Sequence, residues 1–125
     1  MALKKLMSAE TANPYSAALE IKADKLVVLC GQVGEDENEV LVDGGFDCQV
    51  RKTLENCIDR LSDAGCSLSN VFKVNVFLSD ISNCGRFNEI YREFFSEKPL
   101  PVRTTVQAGL PEGYLIEMEL WAVKE

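Results

Sequence analysis

Apolar and polar residues alternate in "YSAALEIKAD" (15–24): Leu19, Ile21 and Ala23 fall opposite Glu20 and Lys22, the period of a half-buried strand. Asp24 and Lys25 supply a short polar turn, and the run beyond it, "LVVLCGQV" (26–33), stays apolar as far as Gly31. Together they predict a β-hairpin whose second arm is buried on both faces, as a central strand is. In "DCQVRKTLENCIDRLSDAG" (47–65) the period changes, with Val50, Leu54, Cys57, Leu61 and Ala64 recurring at helical spacing. Asp47 is placed to cap this helix and Gly65 to end it.

"VFKVNVFL" (71–78) is β-branched and aromatic and predicts a strand with Phe72, Val74, Val76 and Leu78 on one face. "SDISNCGRFNEIYREFFSE" (79–97) opens with turn residues and then spaces Phe87, Ile90, Tyr91 and Phe94 along one helical stripe. Two further strand patterns, within "PVRTTVQA" (101–108) and "YLIEMELWAV" (114–123), are joined through "GLPEG". The expected order is β-β-α-β-α-β-β, an α+β domain with two helices on one face of a mixed sheet. The opposite face, with Phe77, Trp121 and Val123, is left without an intrachain cover, so self-association is expected.

The chain has 125 residues, enough for one domain that removes roughly two-thirds of its unfolded surface from water. Residues 12–125 are assigned to that domain and residues 1–11 to a flexible tail, "MALKKL" being too short to argue organelle import. No apolar run is long enough to span a bilayer and no secretory signal is evident, so no membrane partner and a cytoplasmic location are expected. The net charge of −7 repels phosphates and the thirteen basic residues are scattered, which disfavours nucleic acid as a partner. The acidic excess is densest in "EDENEVLVDGGFD" (35–47), which reads as a solvated loop.

The chain contains no histidine, which removes Ser-His-Asp, Cys-His and H-E-x-x-H chemistry and leaves carboxylate, guanidinium, hydroxyl, thiol and backbone groups. No metal site is expected. Five cysteines without a C-x-x-C pair read as reduced thiols.

Two charges interrupt the last strand patterns. Alternation places Arg103 with Thr105 and Gln107, and Glu117 with Glu119 and Trp121. A half-buried guanidinium can grip a planar carboxylate through paired hydrogen bonds, and a nearby carboxylate can orient or deprotonate water. The competing reading is a cross-strand Arg103–Glu117 ion pair of about 0.2–1 kcal/mol. Gly31 marks either a bulge or a place where a ligand comes close. Without an adjacent base, Cys30 reads as a buried packing thiol. Tyr15, after Pro14, either closes over a ligand or caps the sheet edge.

The motifs "NPYSAAL" (13–19), "LCGQVG" (29–34), "RFNEIYREFF" (86–95), "PVRTTVQA" and "LPEGYLIEMELWAV" (110–123) occur in this order over nearly the whole chain after Ala12. On them the chain resembles the RidA family, also called YjgF and, in older usage, L-PSP endoribonuclease. That resemblance implies a chorismate-mutase-like homotrimer with clefts between subunits. It also implies hydrolysis of reactive 2-enamine and 2-imine acids to 2-keto acids and ammonia, without cofactor or metal. It places Arg103 on the substrate-carboxylate position and Glu117 on the water-positioning one. Tyr15, Gly31 and Asn88 fall on further cleft positions; Cys30 stands where serine is frequent, and Thr105 where cysteine is frequent. The alternatives are an endoribonuclease and a non-catalytic trimer that binds small ligands or acts like a chaperone.

Overall fold

The computed structural model describes residues 2–125. Three short strands come first: β1 (Lys4–Leu6), β2 (Leu19–Ile21) and β3 (Lys25–Val28). Helix α1 (Gly45–Asp63) follows, then β4 (Val71–Leu78), α2 (Cys84–Phe94), β5 (Val102–Gln107) and β6 (Ile116–Lys124). The fold is α+β, as expected. One strand has been added at the front, since Lys4–Leu6 lies in the segment assigned to a flexible tail and pairs antiparallel with β2.

The main sheet runs β3-β6-β4-β5, with β4 parallel to β5 and antiparallel to β6. The expected hairpin between β2 and β3 is therefore not formed, because β2 pairs with β1 and β3 with β6. Nor is β3 central. It is an edge strand with Leu26 and Val28 exposed at 54% and 59%. Its unbroken apolar run serves an uncovered sheet surface instead of burial on both sides.

Both helices lie on the other face. Val50, Leu54, Cys57 and Leu61 of α1 and Phe87, Ile90 and Tyr91 of α2 are fully buried against Val74, Val76, Leu78, Ile116, Met118, Leu120 and Ala122. Burial of this kind contributes about 1.5–3 kcal/mol for each large apolar side chain. The Cys57 thiol is desolvated enough to raise its pKa to about 12. In α2 the last buried aromatic is Phe95, just past the helix end, with its ring stacked 4.4 Å from Tyr91. Phe94 is only partly buried.

Three local details differ from the pattern. A bulge between Val71 and Lys73 breaks the register of β4 with β6, so Val71 takes the core position expected for Phe72. Helix α1 starts before Asp47, which sits in its first turn and bonds to Arg86 instead of capping. Val123 is buried, where residues 2–4 and Asn70 line a recess with it, so of the three residues expected to be uncovered on the open face, Phe77 and Trp121 are part-exposed and Val123 is not. Gly65 does end α1, in the left-handed region at φ 73°, and the Cys66 amide donates back to Leu61 O at 2.8 Å.

Candidate active site

Side chains in register across neighbouring strands share a face of the sheet. Arg103 aligns with Val74 and Thr105 with Val76, so both stand on the helix-covered side. Glu117 aligns with Phe77, and Glu119 with Asn75, on the open side. Arg103 and Glu117 are thus separated by β4 and point to opposite faces. The cross-strand ion pair weighed from the sequence does not form, and the polar faces of β5 and β6 do not meet within one chain.

Around Arg103 the site is built from three elements. The Asn88 Oδ1 on α2 accepts from Arg103 Nη2 at 2.6 Å. The guanidinium carbon lies 4.8 Å from the Tyr91 ring centre, 5.0 Å from Tyr15 and 5.2 Å from Phe87, an aromatic enclosure that favours a cation while keeping water away. Tyr15 is brought there by the next residue: Ser16 N donates to Pro101 O at 3.0 Å and Ser16 Oγ to Leu100 O at 2.6 Å. The chain ahead of it is held by Arg92, which donates to Ala12 O at 2.9 Å. Tyr15 and Arg103 both border a recess of about 210 Å³ that also takes in Lys73, Asn75 and Thr104.

The cluster around Arg103 is short of acceptors. Arg103 Nε and Nη1, Thr105 Oγ1 and Tyr91 Oη are all buried and have no hydrogen-bond partner. Burial lowers the Arg103 pKa and raises that of Tyr91, so desolvation penalises the charge of the guanidinium. An acceptor that reached Nε or Nη1 would offset that penalty.

A second cluster surrounds Glu117. Gln32 and Met118 exchange backbone bonds, Gln32 N to Met118 O at 2.6 Å and Met118 N to Gln32 O at 2.9 Å, which extends the ladder past the end of β3. Gly31 is thereby laid directly on Glu117. A Cβ at Gly31 would come within 2.2 Å of Glu117 Oε2. The group that comes close to this glycine within the chain is its own carboxylate, Glu117. Cys30 is exposed, not buried, and its sulfur accepts from Gln32 Nε2 at 3.5 Å.

The residues singled out from the sequence therefore fall into two clusters. Tyr15, Asn88, Arg103 and Thr105 form one, and Cys30, Gly31 and Glu117 the other. Phe87 and Tyr91 were read only as core positions; their second role, walling the guanidinium, has no separate signal in a helical stripe. The loops beside Glu117 are further tied together by Tyr114 Oη, which donates to Glu35 Oε2 and whose pKa is raised chiefly by that bond. Among the described residues, no helix is long and apolar enough to cross a membrane.

Comparison with known proteins agrees with this architecture. The family model described as Endoribonuclease L-PSP matches residues 6–124. The chain is 39% identical over 114 residues to the 2-iminobutanoate/2-iminopropanoate deaminase of Mus musculus, covering 90% of this chain and 82% of the mouse protein. It is 40% identical over 115 residues to a RutC family protein of Pyrococcus abyssi, covering 90% and 88%. The crystal structure of RidA from the Antarctic bacterium Psychrobacter sp. PAMC 21119 superposes with a TM-score of 0.75 at 31% identity, covering 99% of each chain. A family model spanning nearly the whole sequence, relatives of this likeness and a shared fold make the chain a member of the RidA, or endoribonuclease L-PSP, family.

Proposed function

We propose that the protein is a hydrolytic deaminase of small 2-enamine and 2-imine acids, releasing the 2-keto acid and ammonia at clefts between copies of the chain in a homotrimer. The observation that carries this reading is the buried Arg103 guanidinium, whose Nε and Nη1 have no partner while Asn88 holds Nη2. A guanidinium anchored at one nitrogen, with donors unspent at the other two, suits a carboxylate ligand. Its placement opposite to Glu117 across the sheet calls for a second copy to complete the site. The exposed Leu26, Val28 and Val106 supply apolar surface for that contact.

In this mechanism Arg103 binds the substrate carboxylate and the rings of Tyr15, Phe87 and Tyr91 exclude water from the pair. Glu117 of a neighbouring copy aims a water molecule at the imine carbon. The carbon–oxygen bond forms and one water proton passes by way of the carboxylate to nitrogen, giving the carbinolamine; its hydroxyl proton then moves by the same carboxylate to nitrogen as the carbonyl forms, the carbon–nitrogen bond breaks and ammonia leaves. Orientation by two fixed charged groups supplies the rate enhancement. Thr105 Oγ1, buried and without a partner, is a further donor beside Arg103 for the bound acid.

Ammonia release from enzymatically generated 2-iminopropanoate tests the reading. Arg103→Ala is expected to abolish acceleration over the spontaneous reaction, and Glu117→Gln to abolish it while leaving keto-acid binding intact. Binding without turnover in the unmodified protein would identify a ligand-binding trimer instead.

A further inference from the structure

We propose that Gln49 and Asn56, two turns apart on α1, are positioning residues that hold Glu117 and the Gly31 loop in working geometry. The proposal rests on the reading of Glu117 as the water-orienting carboxylate. Gln49 is only 4% exposed and spends both ends of its amide on the turn that leads into β6. Its Nε2 donates to Gly113 O at 2.8 Å, and its Oε1 accepts from Leu115 N at 2.9 Å. Leu115 lies two residues before Glu117 in the chain, so the clamp sets the height at which β6 begins.

Asn56 does the same for the other loop. Its Nδ2 donates to Val33 O at 2.8 Å and to Glu35 O at 2.9 Å, just beyond the Gly31–Gln32 step. Gly34 rests on the helix backbone itself, where an added Cβ would lie 2.9 Å from both Cα and O of Gln49. The bond from Tyr114 to Glu35 ties the two loops to one another. Both segments that flank Glu117 are thus tied to one helix.

A buried amide costs free energy unless its hydrogen bonds are made, so an apolar residue would fill the Gln49 site better if packing were its whole role. The Arg103 cluster takes no hydrogen bond from α1; Asn88 and the rings of α2 and Tyr15 hold it. Loss of the α1 clamps therefore disturbs water delivery without disturbing the carboxylate anchor. That separates a positioning role from a general loss of structure.

The experiment compares Gln49→Leu, Gln49→Glu and Asn56→Ala with the unmodified protein. It measures steady-state ammonia release from 2-iminopropanoate, affinity for pyruvate as the probe of the Arg103 half, melting temperature, and backbone amide exchange over 31–35 and 113–118. In folded variants kcat should fall between about tenfold and hundredfold, as expected for slight misplacement of a catalytic group. KM and pyruvate affinity should stay within about twofold. Gln49→Glu, which keeps the acceptor for Leu115 N but sets a second acceptor against Gly113 O, should lose kcat as Gln49→Leu does. Asn56 is only partly buried, so its variant remains informative if Gln49→Leu fails to fold. Unchanged kcat in folded variants, or pyruvate affinity falling in step with kcat, would overturn the assignment. If the unmodified protein shows no turnover, the deaminase reading falls instead. Faster exchange confined to the two loops would then still support the clamp, and unchanged exchange would refute it.

Discussion

Arg103 and Glu117 stand on opposite faces of one sheet, in register with Val74 and Phe77 of the strand between them. If they act on one substrate, they come from different chains. Co-expressing Arg103→Ala with Glu117→Ala should then restore activity that neither variant has alone. Random mixing in a closed ring leaves about a quarter of the clefts with both groups intact. Activity in the mixture no greater than in the separate variants would mean that the two residues do not share a cleft.

Two glycines offer a paired test of local crowding. A Cβ at Gly31 meets the end of a side chain, Glu117 Oε2 at 2.2 Å, whereas one at Gly34 meets backbone, Gln49 O at 2.9 Å. The carboxylate can swing aside and the helix cannot. Gly31→Ala should therefore change stability by less than about 1 kcal/mol while removing most turnover. Gly34→Ala should destabilise by about 1–3 kcal/mol in denaturant titrations. The reverse ranking would contradict the close approaches.

The unpartnered donors of Arg103 predict a trade-off between stability and activity. Burial of unsatisfied donors is costly, and an apolar chain of similar length would remove that cost while keeping contact with Tyr15, Phe87 and Tyr91. Arg103→Met should raise stability by about 1 kcal/mol or more, read as a higher urea midpoint, and eliminate ammonia release. A lower midpoint would show that the aromatic enclosure contributes more than the desolvation takes away.

Acid should loosen the contact between the helices first. Arg86 bonds Asp47 and Arg51 bonds Glu93, each arginine holding its carboxyl below the ordinary values of 3.8 and 4.5. Because the folded pKa values are depressed, their contribution is complete above those ordinary values and is lost as pH falls through the lowered ones. Melting temperature should drop more steeply over that acid range in the unmodified protein than in Asp47→Asn/Glu93→Gln. All four groups are solvent-accessible, so added salt should narrow the difference. Identical acid limbs would show that the bridges contribute nothing measurable.

Periodicity made the helices legible because it reports one buried stripe directly: Val50, Leu54, Cys57, Leu61, Phe87, Ile90 and Tyr91 are all fully enclosed. It was less informative for strands. Alternation says that Arg103 and Thr105 share a side, but not which side the helices cover, and that ambiguity hid the separation of Arg103 from Glu117. The apolar run of β3 misleads for a related reason, since an uncovered apolar surface has the same composition as a doubly buried one. Gln49 and Asn56 left no signal at all, because an amide that clamps a loop looks in sequence like any polar position on a helix.

The segment around Ser16 has one more consequence. By bonding to Pro101 O and bridging in parallel to Val102, it covers the first position on the outer rim of β5, where an incoming strand would otherwise begin to pair. Strand-by-strand growth along that margin therefore meets an obstacle at its entry, while the stretch from Arg103 to Gln107 stays open.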